Sequence, residues 1–137
     1  MDCIFCKIIK GEIPSYKVYE DDDVLAFLDI TQATKGHTLV IPKKHVENVY
    51  EMDSTTSTNV FTKIPLIANA LKKSFNPIGL NLLQNNDKPL QSVFHFHVHL
   101  IPRYKDDDTT IGWVNHQKDY QDVDYKDVQE SIKKAMK

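Results

Sequence analysis

The chain has 137 residues, 41% of them hydrophobic and 26% charged, with a formal net charge of −2 when histidines are neutral. That is enough for one well-cored soluble domain spanning 1–137, and the charge balance argues against a nucleic-acid or anionic-membrane surface. No apolar run nears membrane-spanning length, and "MDCIFCKIIKGEIP" lacks the basic start, apolar core and cleavage site of a signal peptide, so a cytoplasmic location is expected.

The opening "CIFCKIIKGEIP" can carry a short helical turn. "SYKVYED" (15–21) then reads as a strand closed by acidic turn residues. "DVLAFLDI" (23–30) is apolar and β-prone, "TQATKG" is a polar connection, and "HTLVIPKKH" (37–45) is a further strand that Pro42 closes or places at an edge. From residue 53 to 75 the period changes. Val60, Ile64, Ile67, Ala68, Leu71 and Phe75 recur at steps of three and four, which makes one apolar face of a helix. Asp53 or Ser54 can cap it, Lys72 and Lys73 suit its C-terminal end, and Pro65 predicts a kink or a late start. "GLNLLQN" (79–85) and "VFHFHVHLIPR" (93–103) are the fourth and fifth strands, "DDDTTIGWVNHQ" is a loop, and "YKDVQESIKKAMK" can form a terminal helix. The sum is an α+β domain: a five-stranded antiparallel sheet with one long helix and a C-terminal helix.

Two features carry chemistry. The first is C-x-x-C at Cys3 and Cys6. A reducing compartment argues against a structural disulfide, a redox motif would be expected after a strand, and a metal would need two ligands from elsewhere. The second is "HFHVHL", where His95, His97 and His99 alternate with Phe96, Val98 and Leu100. On a strand the three imidazoles share one face, with neighbours separated by roughly 6.5–7 Å. Two adjacent rings could share one metal through bonds of about 2 Å, but all three could not. Three histidines in register offer no packing gain. That leaves a His-x-His metal enzyme with an open coordination position, or an imidazole that attacks through one nitrogen while the other is held by a fixed acceptor.

"HFHVHLI" resembles the signature of the histidine-triad (HIT) nucleotide hydrolases and transferases. The resemblance covers most of the chain: "CIFCKIIKGEIPSYKVYEDDDVLAFLDI", "GHTLVIPKKH" and "QSVFHFHVHLIPRY" are similar to blocks of the bacterial Hit proteins and stand in the same order. It implies a HIT-like fold and a purine nucleotide substrate with a substituted α-phosphate, of the nucleoside phosphoramidate type. Dinucleoside polyphosphates are the runner-up, and a nucleotide- or partner-binding module with little turnover is the alternative class. His97 would be the nucleophile. His99 would donate to phosphoryl oxygens, with Gln91 and Ser92 just upstream. Asp29 would take the ribose hydroxyls, since a carboxylate's two acceptors suit a cis-diol. Phe5, Ile8, Phe27 and Ile30 would wall the base. One segment departs from the family: "QNNDKPLQSV" lacks the usual glycine turn and is one residue short. Asn85 is taken as its phosphate-binding amide, with Gln84 and Asn86 as neighbours that could hold the position. The resemblance further implies one structural Zn2+ on Cys3, Cys6, His45 and His95, and a homodimer built on the long helix and a strand edge. It assigns no role to His37 or His116.

Overall fold

The computed structural model describes residues 2–137. Five strands, β1 (Lys17–Glu20), β2 (Val24–Leu28), β3 (Thr38–Pro42), β4 (Gly79–Leu83) and β5 (Val98–Arg103), form one sheet in the order β1-β2-β3-β5-β4. Every neighbouring pair is antiparallel. Helix α1 (Ile4–Ile9) covers one face, α2 (Ser54–Phe75) the other, and α3 (Asp122–Ala135) ends the chain. The expected α+β class, strand count and helices are all present.

The alternation of side chains divides the core in two. Val24, Ala26, Val40, Val98 and Leu100 meet Val60, Ile64, Ile67 and Leu71 of α2. Leu25, Phe27, Leu39 and Ile41 meet Phe5 and Ile8 of α1. Strands β2 and β3 are therefore covered on both faces, which is why they read as unbroken apolar runs rather than as alternating ones. The helix in 53–75 does not start late. Asp53 caps it, its carboxylate accepting from the Thr56 N–H at 2.7 Å, and the helix runs through Pro65 to Asn76, which closes it at φ 48°.

The fifth strand is shorter than its sequence pattern. The ladder begins at Val98 rather than at residue 93: β4 ends at Leu83, opposite His99, and the pairing of β3 with β5 stops at Val40, although β3 itself runs on to Pro42 beside β2. Residues 93–97 are held by other bonds. The Phe96 N–H donates to the Val46 carbonyl at 2.7 Å. Phe96 still points into the α2-side core, while the His95 and His97 rings meet Phe5 on the opposite side. The faces follow the expected alternation, but the regular spacing does not. His97 and His99 have ring centroids 5.1 Å apart, closer than strand neighbours would be.

Candidate active site

Two groups of side chains converge on the α1 face of the sheet. Cys3 caps α1 and Cys6 lies in its first turn, the Cys3 sulfur accepting from the Cys6 N–H at 3.3 Å. His45 comes three residues after β3, and His95 lies in the bent stretch before β5. The four ligand atoms lie within 4.8 Å of one another. A tetrahedral ion with bonds of about 2.05 Å to nitrogen and 2.3 Å to sulfur requires edges of about 3.3 Å for N···N and 3.6 Å for S···N. The His45 Nδ1 to His95 Nδ1 distance is 3.2 Å, and three of the four sulfur-to-Nδ1 distances are 3.4, 3.5 and 3.7 Å. The donor set and its size thus fit one metal ion in a closed site. The His95 Nε2–H donates to the Pro42 carbonyl at 2.7 Å, which leaves the Nδ1 lone pair facing the cluster. Burial pushes the His95 ring down to about 4, so it stays neutral as a ligand must. Burial and the neighbouring Cys3 push the Cys6 thiol up, a cost that a divalent cation held by this group would remove.

The second group is a relay of defined tautomers. The His97 ring nitrogen Nδ1 lies 2.7 Å from the His95 carbonyl, so Nδ1 carries the proton and Nε2 the lone pair. The Ala33 N–H donates to His37 Nδ1 at 3.2 Å, which puts the His37 proton on Nε2. That proton points at His99 Nδ1, 2.8 Å away, so the proton of His99 sits on Nε2. His97 therefore offers an acceptor and His99 a donor, side by side. Burial lowers both rings, His99 to about 4 with help from the nearby His97 and His37, and keeps them neutral at neutral pH.

Asp29 lies beyond them. One carboxylate oxygen accepts from the Thr31 N–H at 2.9 Å and from its hydroxyl at 2.7 Å. The other faces His37 Nε2 at 3.6 Å and His99 Nδ1 at 3.9 Å. Burial pushes the Asp29 carboxyl up, but the Thr31 hydrogen bonds and the adjacent histidines outweigh it and hold the group below its ordinary value. Asp29, His37 and His99 could also be grouped as metal ligands. The 2.8 Å contact between two rings of complementary tautomer is instead that of a hydrogen bond.

A cavity of about 290 Å³ opens on this group. Phe5, Ile8, Phe27, Ile30, Asp29, Ser92, His97 and His99 all line it. Ile30 is 84% exposed and forms a rim rather than a wall. A larger cavity of about 540 Å³ lies behind Ser92 and Val93, beside His45 and Glu47, and His97 does not line it.

Gln91 departs from its expected role. It is buried, and its amide is spent on the backbone: it donates to the carbonyls of Glu47 and Val93 at 2.6 and 3.0 Å and accepts from the Asp87 N–H at 2.9 Å. Gln91 holds the loop that presents Ser92. The amides of Gln84 and Asn86 bond each other at 2.8 and 2.7 Å, and Asn86 also accepts from the Val49 N–H at 2.8 Å. Asn85 has no side-chain hydrogen bond among the described residues, so it is the amide of the three still free for a ligand. It does not line the cavity. His116 is exposed and 3.5 Å from Asp119, away from both groups.

The sequence reading missed His37. Pairing places Leu39 opposite His99, and the residue two before Leu39 is a diagonal neighbour of His99 on the same face. Knowing the β3–β5 register would have found it. His37→Ala should lower kcat about 10- to 100-fold with little change in KM, because His99 loses the proton that fixes its tautomer. His37→Gln, whose amide can still donate, should recover part of that loss. Equal losses in the two variants, or a change confined to KM, would contradict the relay.

Comparison with known proteins agrees with this geometry. A family profile described as "HIT domain" matches residues 10–106. "Protein hit" of Bacillus subtilis is 56% identical over 137 residues, 98% of this chain and 94% of the relative. Adenosine 5'-monophosphoramidase hnt1 of Schizosaccharomyces pombe is 41% identical over 115 residues, 82% of this chain and 84% of the relative. A HIT family protein crystal structure from Bacillus anthracis superposes with TM-score 0.95 at 49% identity, covering 99% of this chain and 98% of that one, so the match includes the C-terminal segment. A zinc-bound histidine triad family protein from Mycobacterium smegmatis superposes with TM-score 0.74 at 34% identity, covering 87% of each chain.

Proposed function

The chain belongs to the HIT family, and on that premise we propose that it hydrolyses a purine nucleotide with a substituted α-phosphate, a nucleoside phosphoramidate, through a covalent nucleotidyl-His97 intermediate. The observation that carries this reading is the tautomer of His97. Its Nδ1–H is tied to the His95 carbonyl, so the free lone pair on Nε2 belongs to a residue that lines the cavity with Asp29, Ser92 and His99.

In the proposed reaction the His97 Nε2 forms a bond to the α-phosphorus and the bond to the leaving amine breaks, the amine taking a proton from solvent. The nucleotidyl-imidazolium is stabilised by the His95 carbonyl on Nδ1–H. The His99 Nε2–H donates to a phosphoryl oxygen as charge develops there. Water then attacks phosphorus, the P–Nε2 bond breaks, and a nucleoside monophosphate leaves as the proton returns to solvent. Phe5, Ile8 and Phe27 would hold the base, Ser92 and Asn85 the phosphate. Only one oxygen of Asp29 is left for the ribose, since Thr31 holds the other. The monophosphoramidase relative supports the amine leaving group.

We further propose that the ion on Cys3, Cys6, His45 and His95 is zinc, supported by the tetrahedral fit above and by the zinc-bound relative. When bound, zinc would act by holding α1 and the His95 backbone in place. The protein in this reading is a homodimer. The test of the substrate class is a direct competition. Adenosine phosphoramidate should be turned over to AMP at least about 10-fold more efficiently (kcat/KM) than a diadenosine polyphosphate, a difference of about 1.4 kcal/mol in the barrier. The reverse order would assign the polyphosphate class, and binding of both without turnover would assign a binding module.

A further inference from the structure

Ser15 lines the cavity assigned above to the nucleotide, and it is half-buried there. Its Oγ is shut off from solvent. Among the described residues it is the one buried side-chain nitrogen or oxygen without a hydrogen-bond partner. An unpaired buried hydroxyl is a cost to the free protein, and native folds rarely carry one without a use. The backbone holds Ser15 beside the ribose end of the cavity. The Leu28 N–H donates to the Tyr16 carbonyl at 2.9 Å, which ties the residue after Ser15 to the residue before Asp29.

The polar side chains of the cavity are unevenly shared. Asp29, Ser92, His97 and His99 serve the ribose and phosphate in the proposed reaction, and Tyr16 is 69% exposed. Apart from Ser15, the remaining lining is apolar, with Ile13 and Leu39 beside the aromatic rings. Such a slot takes a flat ring by area alone, and it strips water from the ring nitrogens of a purine without offering them a donor. Ser15 is the polar side chain left over for the base.

We propose that the Ser15 hydroxyl turns into the occupied slot, donates a hydrogen bond to a ring nitrogen of the purine, and so orients and selects the base. The inference rests on the nucleotide slot proposed above and adds the residue that reads its base. The turn costs little. A serine side chain has three staggered positions about its Cα–Cβ bond, and this Oγ gives up no hydrogen bond when it leaves its present one. In the bound state the hydroxyl and the ring nitrogen satisfy each other, where each alone would be buried unpaired. One placed polar group in an apolar pocket is enough to favour a ligand that matches it over an analogue that does not.

Two measurements on the metal-loaded protein test this, and neither needs turnover. The first is equilibrium titration with AMP and with 1-deaza-, 3-deaza- and 7-deaza-AMP, each of which replaces one ring nitrogen by C–H. The wild type should bind one of the three analogues about 3- to 10-fold more weakly than AMP. Ser15→Ala should weaken AMP by the same factor and leave the affinity for that analogue unchanged, because both changes remove the same bond. The second is thermal unfolding without ligand. Ser15→Ala removes an unpaired buried oxygen, so its Tm should equal or exceed that of the wild type. A residue that only held its segment in place would give a lowered Tm, with AMP and all three analogues weakened alike. That pattern would overturn the Ser15 contact and leave hydrolysis at His97 standing, as would unaltered AMP binding in Ser15→Ala or three analogues that match AMP in the wild type. A wild type that binds AMP but turns over no phosphoramidate would remove the proposed reaction, with the contact still decided by the titration. A wild type that binds no AMP would overturn both.

Discussion

His97→Ala should abolish turnover, with kcat falling at least about 10⁴-fold, while nucleotide binding and bound metal are retained. The size of the effect follows from the tautomer assignment. His97 is the member of the triad whose Nε2 is unprotonated and free of any partner among the described residues. The neighbouring rings have no such nitrogen available: His95 is spent on the metal group and the Pro42 carbonyl, and His99 receives the His37 proton. Removing His97 leaves no second group able to take over the attack. The slot itself stays built, because Phe5 packs on Phe27 and His95 as well as on His97. Binding should therefore change much less than kcat, which steady-state kinetics and equilibrium titration with AMP would separate. His99→Ala should be costly too, and the two losses should not add, because both side chains act on one phosphoryl group. Substantial turnover in His97→Ala would remove the covalent route.

Cys3→Ser should lose the metal and cost the fold about 3 kcal/mol or more, which for a domain of this size lowers Tm by roughly 10 °C. Cys3 joins three things at once: it caps α1, would supply one ligand atom to the proposed zinc, and packs against Phe5 and Ile8 beneath the sheet. Without an ion, only weak sulfur–imidazole contacts of 3.4–3.7 Å tie His45 and His95 to the N-terminal segment, and α1 is only six residues long. A helix that short does not persist by itself. Activity should drop in part, by about 10-fold, because Phe5 and Ile8 wall the slot but take no part in the chemistry. Elemental analysis and thermal unfolding of the same samples check this, with chelation of the wild type and zinc restoration as a reversible counterpart. His97→Ala should keep its zinc. Metal loss from that variant, or a metal-free wild type, would contradict the division of the triad into a ligand and a nucleophile.

How far the sequence could be read differed between features. Long periodic segments such as α2 were plain, because packing on a sheet imposes a repeat of three and four that few other arrangements need. The extent of β5 was not. The alternation of His95, Phe96, His97 and Val98 persists where no ladder exists, since burial on both sides of a bent segment requires the same pattern. The spacing of the triad, and the divergence of His95 from His97, depend on where the pairing of β5 with β3 and β4 stops. Pro65 does not delay the helix, which runs through it from Ser54, with Val60, Ile64, Ile67 and Leu71 buried on both sides of it. At the site, residues that touch the cavity through side chains of the right chemistry were legible. Gln91 was not, because a buried amide that clamps three backbone groups looks in sequence like one that binds a ligand. His37 was missed because its role is defined by a cross-strand neighbour rather than by a motif.

The central claim is that His97 Nε2 becomes bonded to phosphorus during turnover. Rapid mixing with adenosine phosphoramidate, quenching under alkaline conditions that preserve a phosphoramidate linkage, and peptide mapping by mass spectrometry would test it most directly. The expected result is an adenylyl adduct on His97 that forms within one turnover, decays at the rate of AMP release, and is absent in His97→Ala. Single-turnover hydrolysis with no adduct at any time, or an adduct on His99 in place of His97, would contradict the account.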